Sequence, residues 1–445
     1  MHRYASERLL KWHREGVFRK PLIVQGARQV GKSYLVRDFC NTQGFTCLEM
    51  NFEKEPSLRK LFVEGHNSKT VNYLEVHFGL KITTNVILFL DEIQSAPEVF
   101  ARLRYFFEDT PHLAVIAAGS LLEFALAEMA HSIPVGRIEY MHLGPMSFQE
   151  MLLALNEHDL LNLLKIWHPK QKDTQIPDVF HDKLMSYVRD FSFVGGMPEA
   201  VLKFVEKRDW LGCWNTQNSI TETYRNDFAK YRKKIPLERI DRIFTSIPSH
   251  VGQKWVHARV CPTDKAQAVD KALDLLCQAR VAHKVIHSSG NGVPLAAERK
   301  ENLFKVIFLD IGLMGHQLGI SRIDLNDTKE FERINEGALA EQWVGQHLLM
   351  LNKDQSFPCL HYWVREKSGA MAEVDYLIPH GSRIFPLEVK AGSSQKTKSL
   401  QVFLSEKHKS ILGIHVSGLE AKLDESRRIL TIPFYLLEEL PRILS

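Results

Sequence analysis

Apolar residues gather into short unbroken runs in the first 120 positions. Pro21-Leu22-Ile23-Val24-Gln25, Asn85-Val86-Ile87-Leu88-Phe89-Leu90 and Ala114-Val115-Ile116-Ala117-Ala118 show no alternation with polar residues. Such runs predict strands buried on both faces, as in a parallel sheet covered by helices. Tyr34 to Phe39 reads as helix. From Met151-Leu152-Leu153-Ala154-Leu155 onward the pattern turns mostly helical. Phe191 to Pro198 interrupts it, because two glycines and a proline predict a loop. Pro236 to Ile247 sets Ile240, Ile243, Phe244 and Ile247 on one helical face. Asp264 to Ala279 repeats this with Ala268, Ala272, Leu273, Leu276 and Cys277. Val281 to Ile286 alternates loosely, as a strand does, and Ser288-Ser289-Gly290-Asn291-Gly292 is a turn. Together these predict a winged-helix module whose wing ends at that turn. Glu336 to Leu349 reads as a helix, and Ala372 to Ile378 and Ile384 to Lys390 read as strands. The chain divides into residues 1–150, 151–330 and 331–445.

The first strand runs into Gly26-Ala27-Arg28-Gln29-Val30-Gly31-Lys32-Ser33, which fits the phosphate-loop pattern G-x-x-x-x-G-K-[ST]. Strand, glycine-rich loop and helix start, in this order, are what the pattern needs. Gly26 and Gly31 let the backbone approach an anion, and the loop N–H groups with the helix N-terminus point at it. Lys32 would reach the β- and γ-phosphates of ATP, and Ser33 would place its hydroxyl on Mg2+. Tyr34 closes this segment.

Asp91 and Glu92 follow the second run. Ligands gather at the carboxyl ends of strands in an open α/β sheet. There Asp91 would join the Mg2+ shell, and Glu92 would orient or deprotonate the attacking water. Ser120 ends the third run, either as a sensor of the γ-phosphate or as a helix N-cap. Arg137, in Pro134-Val135-Gly136-Arg137, is either an arginine finger acting in trans or a solvated side chain. The Gly195-Gly196 loop is either a lid hinge near the nucleotide or a plain turn.

In the last segment, Glu341 shares a helical stripe with the apolar Val344 and Leu348. Asp375 lies on the next strand. On the strand after it, period two turns Glu388 and Lys390 to the same side, away from Phe385, Leu387 and Val389. Asp375, Glu388 and Glu341 would bind one or two Mg2+ ions, helped by the carbonyl of Val389, and Lys390 would steady the developing charge.

Composition narrows the setting. At 44 % hydrophobic and 25 % charged residues the chain is ordinary for a soluble globular protein. No apolar run approaches the ~20 residues of a membrane helix, so no membrane partner is expected. The N-terminus has no apolar stretch behind its basic residues, so no secretory signal is expected. The six cysteines form no C-x-x-C pair, which fits the cytoplasm. A net charge of +4 does not by itself indicate nucleic acid. Two basic clusters, at residues 230–234 (with Arg232, Lys233 and Lys234) and 390–398 (with Lys396 and Lys398), are solvated faces or DNA contacts.

GARQVGKS, LDEIQ, AAGS and VGRIEYMHLGPMSFQE together resemble a family of bacterial and archaeal ATPases of the AAA superfamily. Gly195-Gly196-Met197-Pro198-Glu199 and Leu303 to Met314 are similar to later signatures of that family. The Asp, Glu-x-Lys and helical Glu of the last segment resemble the PD-(D/E)XK nucleases. The resemblance implies an α/β protein with three parts. These are a P-loop AAA-type ATPase core with a parallel sheet, a helical and winged-helix middle, and a C-terminal PD-(D/E)XK nuclease-like domain. In such ATPase fusions that domain either cuts DNA or is a relic used for binding. The function expected is an ATP- and Mg2+-dependent ATPase that forms a homo-oligomer and binds or processes DNA. The alternative is a nucleotide-driven switch on a protein partner, with the C-terminal domain used only for docking.

Overall fold

The computed structural model describes residues 1–62, 67–120, 136–229, 235–320, 336–351, 359–365, 372–391 and 396–445. The basic cluster with Arg232, Lys233 and Lys234 lies outside the described residues, as do Pro134 and Val135. The chain forms two compact units, the first made chiefly of residues 1–144. Among the described residues no helix is long and apolar enough to cross a membrane.

The first unit is built on five parallel strands: β1 (Leu22–Gln25), β2 (Thr46–Asn51), β3 (Val86–Asp91), β4 (Ala114–Gly119) and β5 (Glu139–His142). Their order is β2-β3-β4-β1-β5. The three apolar runs are β1, β3 and β4, the inner strands, and every residue in these strands is buried. The edge strands β2 and β5 mix buried and half-buried positions, so they carry no continuous apolar run. Helices α1 (Ala5–His13), α2 (Lys32–Gln43), α3 (Asn67–Phe78) and α4 (Pro97–Asp109) complete the unit. Ile23, Met50, Leu88, Leu90 and Val115 of the sheet pack with Leu74 of α3 and Phe100, Leu103 and Phe106 of α4.

The second unit begins with helices α5 (Phe148–Ala154), α6 (His158–Ile166), α7 (Asp178–Val194), α8 (Pro198–Lys207), α9 (Trp210–Phe228), α10 (Leu237–His250), α11 (His257–Val260) and α12 (Ala266–Gln278). Phe191 to Val194, expected in a loop, complete α7, and the break is confined to Gly195–Met197. The reason is burial: Phe191, Phe193 and Val194 face the core, and the chain leaves the helix only at Gly195, where φ is +70°.

An eight-stranded sheet follows: β6 (Ala282–Ser288), β7 (Arg299–Phe308), β8 (Leu360–Val364), β9 (Glu373–His380), β10 (Arg383–Val389), β11 (Gly413–Ser417), β12 (Lys422–Asp424) and β13 (Ile429–Pro433). The order is β12-β13-β11-β10-β9-β8-β6-β7. The hairpin expected as a wing is β6–β7, and it does not project. β6 pairs antiparallel with β7 on one edge and parallel with β8 on the other. Five of its seven residues are buried, so it fits the inside of a sheet rather than an exposed wing.

Helices α13 (Ile311–Gln317), α14 (Glu336–Leu351), α15 (Lys398–Glu406) and α16 (Leu440–Ile443) finish the unit. Trp343 and Val344, as well as Gln342, Gln346 and His347, are buried along α14, so it is covered on all sides. Its polar residues are satisfied by strand ends. Gln342 donates to the carbonyl of Phe308 at 2.8 Å and accepts the N–H of the same residue at 2.7 Å. Gln346 accepts from Ile311 N–H at 2.8 Å and donates to Asp310 at 3.0 Å. Asp310 also accepts from Gly196 N–H at 2.6 Å and caps α13 through Leu313 N–H at 3.1 Å. Thus the Gly195-Gly196 loop and the Leu303–Met314 segment, distant in sequence, meet at one carboxylate. A Cβ at Gly195 would lie 2.1 Å from that carboxylate.

His347 accepts Phe148 N–H on Nε2 at 3.0 Å, while its Nδ1 faces the Trp343 carbonyl at 2.7 Å. Only a neutral ring with its proton on Nδ1 makes both bonds. Burial lowers its pKa from 6.5 to about 4, against the opposing pull of the Trp343 carbonyl. The unfolded chain therefore takes up a proton that the folded one refuses, and stability falls as pH drops from 6.5 towards 4. The loss amounts to about 3 kcal/mol at full protonation of the unfolded state. Urea unfolding of the wild type and His347→Gln across this range should give a flatter pH dependence for the variant. Parallel curves would place the titration elsewhere, on His361 or His415, whose burial lowers them similarly.

Candidate active site

The phosphate loop leaves β1 at Gln25 and enters α2 at Lys32. Gly31 takes φ +89° at the start of the helix, and Gln29 takes φ +62°. A Cβ on Gly26 would stand 2.1 Å from the carbonyl oxygen of Leu143, so only glycine fits there. Ala27 and Val30 are buried, Arg28 is half-buried, and Tyr34 is exposed with its hydroxyl 3.4 Å from Asp38. The buried Lys32 ammonium donates to the carbonyls of Gly26 and Ala27 at 3.0 and 2.8 Å, folding back inside its own loop. Burial lowers its pKa to about 8, with Glu92 and Asp91 opposing the shift.

At the neighbouring strand ends, Ser33 Oγ lies 3.0 and 2.9 Å from the two oxygens of Asp91. Burial pushes the Asp91 carboxyl up, and the Ser33 hydroxyl pulls it back. These hard oxygen donors at one point fit a Mg2+ ion, which prefers few protein oxygens and keeps several waters. Mg2+ bound here would neutralise charge on the phosphates. Glu92 takes φ +52° and accepts a hydrogen bond from the Gln94 amide. Ser120 directly follows β4, which lies between β1 and β3, and its buried hydroxyl has no partner among the described residues. That suits a group waiting for a phosphate oxygen.

Arg137 stands elsewhere. β5 runs parallel to β1 with Glu139 opposite Leu22, so Arg137 precedes the strands at the end of the sheet away from the phosphate loop. Its guanidinium pairs with Glu108 at 3.0 Å and lies over Phe107. It does not approach the phosphate loop of its own chain.

A second cluster lies within the other unit. Asp375 of β9 accepts Val389 N–H at 2.8 Å, which ties it to β10. Glu388 of β10 and Lys390, just past its end, pair at 2.9 Å, as period two predicts. Glu341 of α14 faces them, and the charges of Glu341, Asp375 and Glu388 all raise the Lys390 pKa against its burial. The four residues expected together are therefore together. A fifth stands among them. Lys305 of β7 places its ammonium 3.2 Å from Glu341 and 3.5 Å from Asp375, and pairs with Glu373 as well. The three carboxylates hold its pKa well above the usual value despite burial. Among the described residues no three His, Cys, Asp or Glu side chains are arranged to hold a metal ion. The cluster as built does not fit the Mg2+ expected there.

Several residues escaped the sequence reading. Arg3 is buried and donates to Val30 O at 2.9 Å and Gly144 O at 2.9 Å, bracing the phosphate loop from the chain's start. Asn51, at the end of β2, donates to Asp91 at 3.1 Å. Gln94 and Glu373 were missed, as was His415, which stands in register with Glu388 on β11. Only Lys305 had a signal: a lysine inside the apolar strand Leu303 to Leu309 must find a counter-charge.

Family models match three stretches. Residues 18–152 match an AAA domain, residues 185–324 a domain of unknown function (DUF8612), and residues 336–435 a domain of unknown function (DUF4143). The first unit thus carries the stretch that matches an AAA domain. A comparison with curated proteins finds no match. Among solved structures, the Walker-type ATPase PABY2304 of Pyrococcus abyssi is 16% identical with a TM-score of 0.43, over 71% of this chain and 95% of that one. The Aeropyrum pernix ORC2 protein is 13% identical with a TM-score of 0.36, over 74% and 95%. The Aeropyrum pernix ORC1 protein in complex with DNA is 11% identical with a TM-score of 0.27, over 72% and 92%. Scores this low identify neither fold nor function.

Two outcomes are expected at the nucleotide site. A phosphate beside Lys32 raises its pKa from about 8. ATP binding above pH 8 should therefore take up a proton and weaken by up to about tenfold per pH unit. Titration calorimetry in buffers of different ionisation enthalpy measures the uptake, and no buffer dependence at pH 9 would refute it. Arg3→Ala should weaken ATP binding about tenfold while leaving the fold intact, since two carbonyls lose a charge-assisted donor. Unchanged affinity would show that the loop holds its shape unaided.

Proposed function

We propose that this protein is a Mg2+-dependent AAA-type ATPase that works on DNA through its second unit. The observation that carries the ATPase reading is the meeting of Ser33 with Asp91 beside the buried Lys32. Lys32 leaves its loop carbonyls for the β- and γ-phosphates. Ser33 and Asp91 hold Mg2+, and Ser120 reads the γ-phosphate. Glu92, freed from Gln94, orients the attacking water. Self-association would bring an arginine to the nucleotide in trans, and Arg137 fills that role only if it leaves Glu108. No disulfide joins any of the six cysteines, all of them among the described residues, which supports a reducing cytoplasm.

The DNA part rests on the order helical Glu, strand Asp, strand Glu-x-Lys, and on exposed Lys396 and Lys398 just beyond Lys390. The unit grips DNA in this reading and does not cut it. A second reading has a specific support. With its carboxylates neutralised from within by Lys305, the cluster suits a docking surface for a protein partner, and ATP then drives a switch.

ATP turnover should rise on adding one form among single-stranded, duplex, forked and four-way-junction DNA, with the strands left intact. DNA affinity should fall steeply with salt. No stimulation and no binding by any form would favour the switch. Glu92→Gln should retain ATP binding and lose turnover by about 100-fold or more. Normal turnover would remove Glu92 from its role.

A further inference from the structure

The second cluster holds more acid than its own strand pair can neutralise. Glu341, Asp375 and Glu388 all act on one Lys390, which is already paired to Glu388, and Glu373 adds a fourth carboxylate. A nuclease-like site would leave the remainder to divalent metal. Here Lys305 stands among Glu341, Glu373 and Asp375 instead.

We propose that Lys305 is the resident cation of this cluster, and that its ammonium takes the place of a divalent metal ion, so the site binds none. The spacing suits an ammonium. Oxygens of Glu341 and Asp375 lie 3.2 and 3.5 Å from Nζ. Mg2+ demands oxygens at about 2.0–2.1 Å, so an ion at that point would need both carboxylates to close in by more than about 1 Å.

While the ammonium holds them, neither carboxylate closes in. The other oxygen of Asp375 is committed to Val389 N–H at 2.8 Å. The backbone carbonyl of Glu341 accepts the Tyr376 hydroxyl at 2.8 Å, and a Cβ at Gly345 would stand 2.5 Å from that hydroxyl. Helix α14 therefore already lies against the sheet as closely as glycine allows.

Lys305 is no freer to leave. Its backbone pairs with Val285 of β6 and bridges to Lys254, and only 2% of the residue is exposed. The ring of Tyr362 lies 5.5 Å from its ammonium. Swinging the ammonium out would leave buried carboxylates without a counter-charge, which is strongly unfavourable. The inference concerns the second unit alone and holds whether the partner is DNA or protein.

Mn2+ binding, read from the electron-spin signal of free Mn2+, tests it on the nucleotide-free full chain. The wild type and Asp375→Asn should bind Mn2+ equally. Lys305→Met, which keeps the length of the stem, should gain a site that tightens Mn2+ binding at least about tenfold. Asp375→Asn added to it should remove that gain. A wild-type site lost in Asp375→Asn would overturn the proposal, as would a folded Lys305→Met with no gain. Should Lys305→Met fail to fold, the comparison of wild type with Asp375→Asn still decides. DNA cleavage by the wild type with Mn2+, abolished by Asp375→Asn, would overturn it too.

Discussion

Lys305 carries a charge into a sheet face where almost none of its surface meets water. Such a charge survives burial only with matched partners held in place. That requirement shapes the second unit. β7 must present the lysine, α14 must bring Glu341 to it, and β9 must bring Asp375 and Glu373. The helix and both strands are thus fixed to one another by a single ammonium. Asp310 does the same from the other sign. Its buried carboxylate gathers the Gly196 N–H, the start of α13 and Gln346 of α14. The two anchors lie five residues apart, on β7 and just past its end.

The first unit uses the same physics at a site built to change state. Lys32 is buried and satisfied by carbonyls of its own loop, a weak substitute for phosphate. Ser33 and Asp91 satisfy each other, and Glu92 rests on Gln94. Each pairing keeps a reactive group ordered, and each is one that a charged ligand can outcompete. At Lys305 the partners are three carboxylates, which nothing of lower charge displaces. The contrast sets groups held by pairings a charged ligand can outcompete against a lysine held by three carboxylates.

Much of this was legible in the sequence because local order carries it. The inner strands β1, β3 and β4 are continuous apolar runs, and the residues at their carboxyl ends had to meet the phosphate loop. Period two turned Glu388 and Lys390 together before any fold was known. The edge strands β2 and β5 left no such mark, since one side of each is half-exposed. The β6–β7 hairpin misled for a related reason. A strand pair beside two amphipathic helices looks alike whether it projects as a wing or ends a larger sheet, and its parallel pairing with β8 joins residues some 75 apart.

The sequence by itself determined the candidate nucleotide site: Gly26 to Ser33, Asp91 and Glu92 are short-range patterns whose chemistry is fixed by residue type and strand direction. It also pointed to Glu341, Asp375, Glu388 and Lys390 of the second cluster, though not to Glu373 or Lys305. Only the tertiary structure decided the charge balance there, because Lys305 reaches Glu341 and Asp375 across 36 and 70 residues of chain. It likewise placed Arg3 under the phosphate loop and paired Arg137 with Glu108 at the opposite end of the strands. Periodicity assigns a residue to a face, but which distant charge stands opposite depends on how strands are ordered in the sheet, and that ordering is a property of the whole fold.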